Sequence, residues 1–275
     1  MSNVGERYFR ENGLNVSDAS KNTINGIIEA HLGNYTFNNV KIITSKNKIL
    51  SLDIDDIYKK IVIDKNGGYC FEHNKLIYEV FKTIGVEAKS FLGRVVYGDE
   101  NQDASRTHRL TILNIESSEY LVDVGFGAYT PMCLVPLSGE VVVDPSGSSY
   151  RVVKKTKDKY QLETLRTKGY FVLYTFDKYE YQESDYDLAN YYTNTHPDSK
   201  FVNQLIMSRK NKDETLLINN LLYSRISAAG RINLEINDSE HLKNVMSENF
   251  NMNLSTKEAD TIEALCRRAI ENSLD

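Results

Sequence analysis

The sequence predicts an α+β fold built from three consecutive parts: an N-terminal helical bundle, a central antiparallel β-barrel and a smaller C-terminal α/β part. Two changes of pattern carry this prediction. Apolar residues recur with helical spacing up to about residue 88, and short β-rich segments follow one another up to about residue 183. Helical and strand-like stretches are then mixed. We therefore expect segments 1–88, 89–183 and 184–275 to form the three parts.

The composition is that of a globular protein large enough to bury a core. Of the 275 residues, 41% are apolar and 26% are charged. The net charge of −5, with no basic block, argues against nucleic-acid binding. No apolar run approaches the roughly 20 residues of a membrane span, and the first residues lack the apolar stretch of a secretion signal. We expect a cytoplasmic protein with no nucleic-acid or membrane partner.

The first part is predicted to contain three main helices. The first has one apolar face formed by Ile24, Ile27, Ile28, His31 and Leu32. The second follows Asp53, a plausible N-cap. The third begins near Cys70 and ends at Gly85, which suits a left-handed C-terminal position.

Seven short segments rich in β-branched and aromatic residues predict the barrel. Clusters of Gly, Ser, Asp and Asn separate them, as expected of an antiparallel meander or small barrel. The segments are Ser90–Tyr97, Arg109–Ile115, Tyr120–Val124, Glu140–Val143, Tyr150–Lys154, Tyr160–Thr164 and Tyr170–Phe176.

The last part alternates helices and strands. A helix is predicted near Asp185–Tyr192, followed by strands around Phe201–Met207 and Thr215–Leu222. The final helix opens with a capping box from Ser255 to Glu258.

The three cysteines divide into two core thiols and one candidate nucleophile. No two are spaced as a CxxC pair, so neither a disulfide framework nor a zinc site is predicted. Cys266 lies on the apolar face of the last helix, and Cys133 lies among apolar neighbours between two prolines. We interpret both as buried structural thiols.

Cys70 has a different setting. It follows the Gly67-Gly68 turn at the start of a helix, where unpaired N–H groups and a partial positive charge favour a thiolate. The same amides suit the oxyanion of an acyl-transfer intermediate. The alternative, a Gly-Gly turn followed by an ordinary buried cysteine, stays open on this local pattern.

A nucleophilic cysteine needs a base, and His108 with Asp123 is the candidate pair. Asp123 lies within an apolar strand, where a carboxylate without a partner is costly. A symmetric hairpin turn over Glu116–Glu119 would place Asp123 opposite Ile112, on the same face as His108 but not beside it. A shifted turn or a bulge is needed for contact, so the sequence permits a triad without establishing it.

The other histidines rank lower. We interpret His31 as a hydrogen-bonded core residue, and His73 as close to the thiol but badly directed for a base. His196, in a loop, is left as a candidate pocket residue.

Several motifs together resemble the arylamine N-acetyltransferase family over nearly the whole chain. The segment Gly67–Asn74 contains Cys70, Thr107 precedes His108, and Tyr120–Gly127 contains Asp123. The resemblance extends to His31 followed by Phe37-Asn-Asn39, and to the segment Asn190–Phe201.

The resemblance implies a helical bundle, a β-barrel and an α/β lid around a cysteine-protease-like core. It also implies an acyltransferase with acetyl-CoA as co-substrate and no metal. Cys70 would carry acetyl from acetyl-CoA to an arylamine, arylhydrazine or arylhydroxylamine, while His108 relays protons and Asp123 orients the imidazole. Six other positions match the family with less specific motifs. They are Phe37, Val95 and Phe126 for the acceptor, and Gly125, Gly127 and Ser199 on the CoA side.

Two positions depart from the family pattern. Asn66 stands where the family has Arg, and Asn38 stands where it has Glu. We expect the two asparagines to replace an ion pair of the relatives by a neutral hydrogen bond between side chains.

Three other functions remain open at this stage. An amide synthase or longer-chain acyltransferase of the same fold would be distinguished by its acyl-CoA donors. An acyl-CoA thiol hydrolase would release acyl groups to water at a rate independent of amine. An inactive binding module would leave Cys70 unreactive toward iodoacetamide.

Overall fold

The computed structural model describes residues 3–45, 49–99 and 101–272. Within them, no helix is both long and apolar enough to cross a lipid bilayer. A π-helical turn, Lys59–Ile63, continues the helix Ile54–Tyr58, and a 3₁₀ turn covers Gly127–Tyr129. The helices are α1 (Val4–Glu11), α2 (Lys21–Asn34), α3 (Val40–Thr44), α4 (Ile54–Tyr58), α5 (Cys70–Thr83), α6 (Glu183–Thr195), α7 (Lys200–Asn203), α8 (Ser239–Phe250) and α9 (Thr256–Glu271).

The strands form two antiparallel sheets, one of eight strands and one of five. The strands are β1 (Phe37–Asn38), β2 (Glu87–Val95), β3 (Arg106–Ile115), β4 (Ser118–Val122), β5 (Val135–Pro136), β6 (Val142–Val143), β7 (Ser149–Lys154), β8 (Lys159–Arg166), β9 (Gly169–Asp177), β10 (Ile206–Lys210), β11 (Glu214–Asn219), β12 (Leu222–Ser227) and β13 (Gly230–Glu235).

The predicted helices of the first part are confirmed. Asp53 caps α4 by accepting hydrogen bonds from the main-chain N–H groups of Asp55 and Asp56 at 2.9 and 3.4 Å. Gly85 follows α5 with φ +75°, the left-handed conformation that ends many helices. The apolar faces of α2 and α5 meet in one buried cluster, so α5 runs through the centre of this part.

The eight-stranded sheet is the predicted barrel, and it is nearly closed. Its strand order is β5-β4-β3-β2-β9-β8-β7-β6, and β5 also contacts β7 across the gap. The predicted strand Glu140–Val143 is reduced to the two residues of β6, and β5 was not predicted. Both are too short to show a pattern in the sequence.

The hairpin between β3 and β4 has a tighter turn than the symmetric one considered above. Ile115 pairs with Ser118, so only Glu116 and Ser117 form the turn, with φ +51° and +62°. Two positive φ values are typical of the type I′ turn that suits the twist of a hairpin. The tighter turn shifts the register, and Asp123 follows directly after the end of β4.

Strands β10 to β13 of the five-stranded sheet lie in the third predicted part together with α8 and α9, whereas β1 comes from the first. The order of the sheet is β1-β10-β11-β12-β13. The predicted strand Phe201–Met207 is wrong in its first half, because residues 200–203 form α7 and β10 begins at Ile206. The capping box of α9 is confirmed, since Ser255 and Glu258 each bond the other's main-chain N–H.

Strand β1 connects the first and last parts of the chain. Phe37 pairs with Ser208 of β10 and also forms a bridge with Gly68, just before Cys70. Asn39 accepts a hydrogen bond from the main-chain N–H of Ile206 at 2.8 Å. The turn before Cys70 is therefore in hydrogen-bonded continuity with the five-stranded sheet.

Candidate active site

Cys70 is the first residue of α5 and is 2% exposed. The turn before it requires glycine, because Gly67 has φ +61° and a Cβ atom there would lie 2.0 Å from the carbonyl oxygen of Thr36. This close approach places Cys70 at the helix N-terminus, as the sequence predicts.

A buried ion pair reinforces the start of α5. The Glu72 side chain is 2% exposed, and its two carboxylate oxygens lie 2.7 and 2.9 Å from Lys60 Nζ. Glu72 also accepts a hydrogen bond from the main-chain N–H of Tyr69 at 3.2 Å. The pair therefore ties the π-helical turn after α4 to the first turn of α5.

The expected contact between the side chains of Asn38 and Asn66 is wrong in one respect. Asn38 Nδ2 donates a neutral hydrogen bond at 3.0 Å, but it does so to the main-chain carbonyl of Asn66. A short amide side chain reaches that backbone directly because Gly67 brings the two segments so close. The turn is held by backbone contacts and by the Lys60–Glu72 pair.

His108 and Asp123 form a short, fully buried contact. His108 Nε2 lies 2.6 Å from Asp123 Oδ2, and both side chains are at most 2% exposed. Burial alone would lower the pKa of His108, but the charge and hydrogen bond of Asp123, with a hydrogen bond to Cys70, raise it to about 10. Burial opposes ionisation of Asp123, yet the charge of His108 and the hydrogen bonds from its neighbours hold the pKa of Asp123 below its usual range.

The geometry leaves one imidazole nitrogen for the thiol. Since Nε2 of His108 is occupied by Asp123, the hydrogen bond to Cys70 falls to Nδ1. As a thiol, Cys70 donates to the main-chain oxygen of Thr107 at a sulfur–oxygen distance of 3.6 Å. The three predicted residues are thus brought together in the order thiol, imidazole, carboxylate.

Asn74 supports this site in a role that the sequence analysis does not predict. Its Nδ2 donates to Asp123 Oδ1 at 2.9 Å and to the carbonyl of Arg109 at 2.5 Å. Its Oδ1 accepts from the main-chain N–H of Val124 at 2.9 Å. The available signal was its spacing, because a residue four positions after Cys70 lies on the same helix face.

A cavity of about 840 Å³ opens beside the thiol. Asp123 lies behind His108 and does not contribute to its wall. The other eight predicted site residues all line it: Phe37, Cys70, Val95, His108, Gly125, Phe126, Gly127 and Ser199.

Aromatic rings surround the imidazole and continue along the cavity. The ring centroid of His108 lies 5.0 Å from that of Phe126 and 4.8 Å from that of Tyr174. Tyr97 stacks on Phe126 at 5.8 Å with an interplanar angle of 22°. Tyr97 and Tyr174 were not singled out from the sequence, because their role depends on which strands become neighbours.

The residues predicted on the CoA side have distinct environments. Gly125 packs directly on Cys70, and a Cβ atom at this position would lie 2.8 Å from Cys70 Cα. Gly127 adopts φ +74°. Ser199 is buried in the cavity wall, and its hydroxyl donates to the carbonyl of Thr193 at 2.6 Å.

Cys266 and His31 are buried core residues as predicted, whereas Cys133 is only partly buried and a pocket role for His196 is not confirmed. Burial raises the pKa of Cys133 to about 12 and that of Cys266 to about 11, which keeps both as thiols. His31 is fully buried and hydrogen bonded. His196 stacks on Tyr192, with ring centroids 4.3 Å apart, and does not belong to the cavity lining.

Comparison with known proteins decides the family. The N-acetyltransferase family matches residues 21–259, which is most of the chain. The arylamine N-acetyltransferase of Escherichia coli (strain K12) is 30% identical over 210 residues, covering 76% of this chain and 74% of that protein. The chain belongs to the arylamine N-acetyltransferase family. The predicted class of enzyme, an acyltransferase with acetyl-CoA as co-substrate, is confirmed at the level of the family.

Two further proteins are similar to the chain, one in its solved structure and one in sequence. The solved structure of the arylamine N-acetyltransferase from M. tuberculosis has a TM-score of 0.86 and 26% identity, covering 94% of this chain and 98% of that one. This likeness confirms the predicted α+β fold. An N-malonyltransferase from Fusarium pseudograminearum is 25% identical over 295 residues, covering 91% of this chain and 82% of that protein.

Proposed function

We propose that this protein moves acetyl from acetyl-CoA to an arylamine, arylhydrazine or arylhydroxylamine through a thioester on Cys70. The single observation that carries the proposal is the buried 2.6 Å contact between His108 and Asp123 beside the Cys70 thiol, at the wall of one large cavity. A buried carboxylate keeps the imidazole protonated and oriented, and the imidazolium in turn stabilises a thiolate.

The reaction proceeds as two balanced displacements. The Cys70 thiolate attacks the carbonyl carbon of acetyl-CoA, the bond from that carbon to the CoA sulfur breaks, and CoA leaves with the proton of His108. The amine nitrogen then attacks the acetyl carbon, and the bond to Cys70 breaks. Neutral His108 accepts the amine proton, which regenerates the thiolate–imidazolium pair.

The cavity suits the two substrates in size and in charge. About 840 Å³ lies toward the upper end of the roughly 300–1,000 Å³ typical of ligand pockets. Three cationic side chains in its wall, Arg166, Lys200 and Arg231, form no ion pair with another described residue, whereas the wall holds two carboxylates, Asp103 and Asp198. An excess of unpaired cations in an acidic protein favours a ligand that carries phosphates, as acetyl-CoA does.

The acceptor is assigned to the aromatic end of the cavity. Phe126 and the stacked Tyr97 offer flat faces close to His108, and Phe37 and Val95 add apolar surface. Aryl rings bind well to such faces through offset or edge contacts. We also propose a cytoplasmic location, because Cys70, Cys133 and Cys266 are all free thiols.

The first prediction concerns the nucleophile. Incubation with acetyl-CoA and 4-anisidine, with free CoA measured over time, should show turnover that falls at least about a thousandfold in Cys70→Ala. Cys133→Ala is the matched control and should leave turnover unchanged, because that thiol lies outside the reaction path. Turnover that persists in Cys70→Ala contradicts the proposal.

The order of the two steps is tested by the same assay. Double-reciprocal plots at several amine concentrations should give parallel lines, because CoA leaves before the amine reacts. Intersecting lines would indicate a ternary complex and a different mechanism. CoA release that does not depend on amine would indicate a hydrolase.

A further inference from the structure

Two buried histidines outside the triad form an unbroken hydrogen-bonded series. Tyr8 Oη lies 3.1 Å from His31 Nδ1, His31 Nε2 lies 2.7 Å from His73 Nδ1, and His73 Nε2 lies 3.2 Å from the carbonyl oxygen of Thr36. Tyr8 and His31 are 0% exposed, and His73 is 1% exposed. We call His31 and His73 the buried histidine pair. It has no part in the mechanism above.

The protons of this series have one consistent order. A carbonyl oxygen only accepts, so His73 Nε2 must carry the proton that it shares with Thr36. Neutral His73 then accepts at Nδ1, so His31 Nε2 is a donor. By the same argument His31 accepts at Nδ1, and the hydroxyl of Tyr8 donates to it.

Both histidines are held in the neutral form that this order requires. Burial lowers the pKa of His73 to about 4. Burial, and then the neighbouring His73, keep the pKa of His31 well below its usual range. A second proton on His73, at Nδ1, would set two N–H groups against each other across the 2.7 Å contact, and a second proton on His31, at Nδ1, would remove the acceptor of the Tyr8 hydroxyl.

The series ends at the backbone that shapes the nucleophile turn. The carbonyl of Thr36 also accepts hydrogen bonds from Gly68 N and Asn38 Nδ2, each at 3.2 Å. Gly67 passes so close to this oxygen that no side chain fits there. The orientation of one carbonyl thus determines the path of the two residues that precede Tyr69 and Cys70.

A ring contact links the same histidine to the cavity. The ring of His73 stacks on that of Phe37 at 6.4 Å with an interplanar angle of 25°. Phe37 lines the cavity beside Cys70, whereas the imidazole of His73 points away from the thiol toward His31 and Thr36. His73 therefore affects the site indirectly, through the Thr36 carbonyl and the Phe37 ring that it contacts.

We propose that the buried histidine pair is a positioning device: His73 donates from Nε2 to the Thr36 carbonyl and thereby fixes the turn that presents Cys70, while His31 and Tyr8 hold His73 in the required tautomer. The assignment deepens the proposed function by adding a positioning residue to the site. It concerns the reactivity of the thiol, so it is testable whether or not acetyl transfer to arylamines is observed.

The tautomers are tested on the whole protein by NMR with ¹⁵N-labelled histidine between pH 6 and pH 7. His31 and His73 should both give the signals of a neutral ring protonated at Nε2, with slow exchange of that proton. A ring protonated at Nδ1, or a doubly protonated ring, at either position overturns the proposal. This measurement needs no variant.

Two variants of His73 separate positioning from packing. His73→Gln keeps an amide N–H where Nε2 was, and His73→Leu has a similar volume but no donor. We expect His73→Leu to lower both kcat and the rate of Cys70 alkylation by iodoacetamide about ten- to a hundredfold, with little change in the KM for acetyl-CoA. His73→Gln should remain within about threefold of the wild type, since a 1 Å displacement of the thiol is avoided.

The outcomes divide cleanly. The proposal is overturned if iodoacetamide alkylates Cys70 of His73→Leu at the wild-type rate. It is also overturned if the alkylation rate falls equally in His73→Gln and His73→Leu. Slow alkylation of His73→Leu with rescue by His73→Gln supports it, even if 4-anisidine is no substrate. If His73→Leu does not fold, the NMR result on the wild-type protein decides.

Discussion

At the scale of single residues, Gly125 sets the distance between the barrel and the nucleophile. A Cβ atom at this position would lie 2.8 Å from Cys70 Cα and 2.8 Å from Asn74 Nδ2. The backbone of Cys70 and the buried amide of Asn74, whose Nδ2 donates two hydrogen bonds, can move less easily than the end of a flexible side chain. Any residue larger than glycine must push the loop after β4 away from α5.

Gly125→Ala should therefore impair catalysis more than folding. We expect kcat to fall about ten- to a hundredfold, because Asp123 and Cys70 move apart. The free energy of unfolding should drop by about 1–3 kcal/mol, which urea denaturation measures.

Gly26→Ala provides the matched control. Gly26 lies inside α2 with nothing within 4 Å of the added Cβ atom. Alanine should raise the free energy of unfolding by about 0.5–1 kcal/mol and leave kcat alone. A Gly125→Ala enzyme with wild-type kcat would show that the close packing on Cys70 is unimportant.

Residue chemistry was the part of the site most accessible from the sequence. Cys70 at the start of a helix and Asp123 among apolar neighbours are both unusual placements. Each indicates a partner, and His108 is the candidate for both. The Lys60–Glu72 pair and the role of Asn74 were missed, since ordinary surface residues carry the same side chains. What distinguishes them is burial, which the sequence around them does not indicate.

At the scale of elements, the turn between β3 and β4 decides which residue faces His108. With Ile115 opposite Ser118, Asp123 reaches the imidazole, whereas a turn two residues longer would move it along the strand. Glu116 and Ser117 both adopt positive φ, a conformation that costs roughly 1–2 kcal/mol per residue for most side chains. The native turn keeps the register at the expense of local strain.

Replacing the turn by Glu116→Asn with Ser117→Gly should relieve that strain. Asn-Gly is the preferred pair for a type I′ turn, and we expect the free energy of unfolding to rise by about 1 kcal/mol with kcat unchanged. Ser118→Gly, one residue into the strand, is the control and should destabilise the hairpin. A drop in kcat for the Asn-Gly variant would mean that the register had changed.

Elements with a strong internal pattern were predicted well, and short ones were not. The stripe of α2 and the cap of α4 appear in the local sequence, so their helices are confirmed. The residues of α7 read as a strand because Phe201 and Val202 have high β propensity, but Asn203 Nδ2 closes a helical turn on the carbonyl of Ser199 at 3.1 Å. The helical turn overcomes the β propensity of these residues through contacts that form only in the folded protein, so the local sequence does not predict it.

At the scale of the whole molecule, a buried ion pair joins the five-stranded sheet to the barrel. Lys210 of β10 lies 2.9 Å from Asp144, and both side chains are at most 3% exposed. Lys210 also donates to the carbonyl of Thr130 at 2.9 Å, and Thr130 Oγ1 accepts from the main-chain N–H of Phe126 at 2.8 Å. The pair thus reaches the loop that carries the aromatic wall of the cavity.

Removing the cation should leave an uncompensated charge at this junction. We expect Lys210→Met to lower the free energy of unfolding by about 3–5 kcal/mol, measured by urea denaturation. Adding Asp144→Asn should recover part of that loss. Lys243→Met, which breaks an exposed pair with Glu240, is the control and should change stability by less than about 1 kcal/mol. Equal effects of the two lysine changes would contradict a structural role for the buried pair.

The three-part architecture was predictable because each part has its own pattern of apolar and β-branched residues. The connections between the parts were not predictable. Strand β1 is two residues long and joins a sheet whose other strands lie in the last third of the chain. Lys210 and Asp144 meet across 66 positions of sequence. Pairings at such separations depend on the final packing, and no local pattern encodes them.

The place of β1 also has a consequence for the timing of folding. Asn39 contacts Ile206, which is 167 positions later in the chain, so this edge of the sheet forms only after most of the protein has been synthesised. Contacts this distant are slow to form because a long loop must close first. Since Phe37 bridges both Ser208 and Gly68, the turn that holds Cys70 is completed late. A nascent chain thus carries its reactive thiol in finished form only when the remainder of the enzyme is already in place.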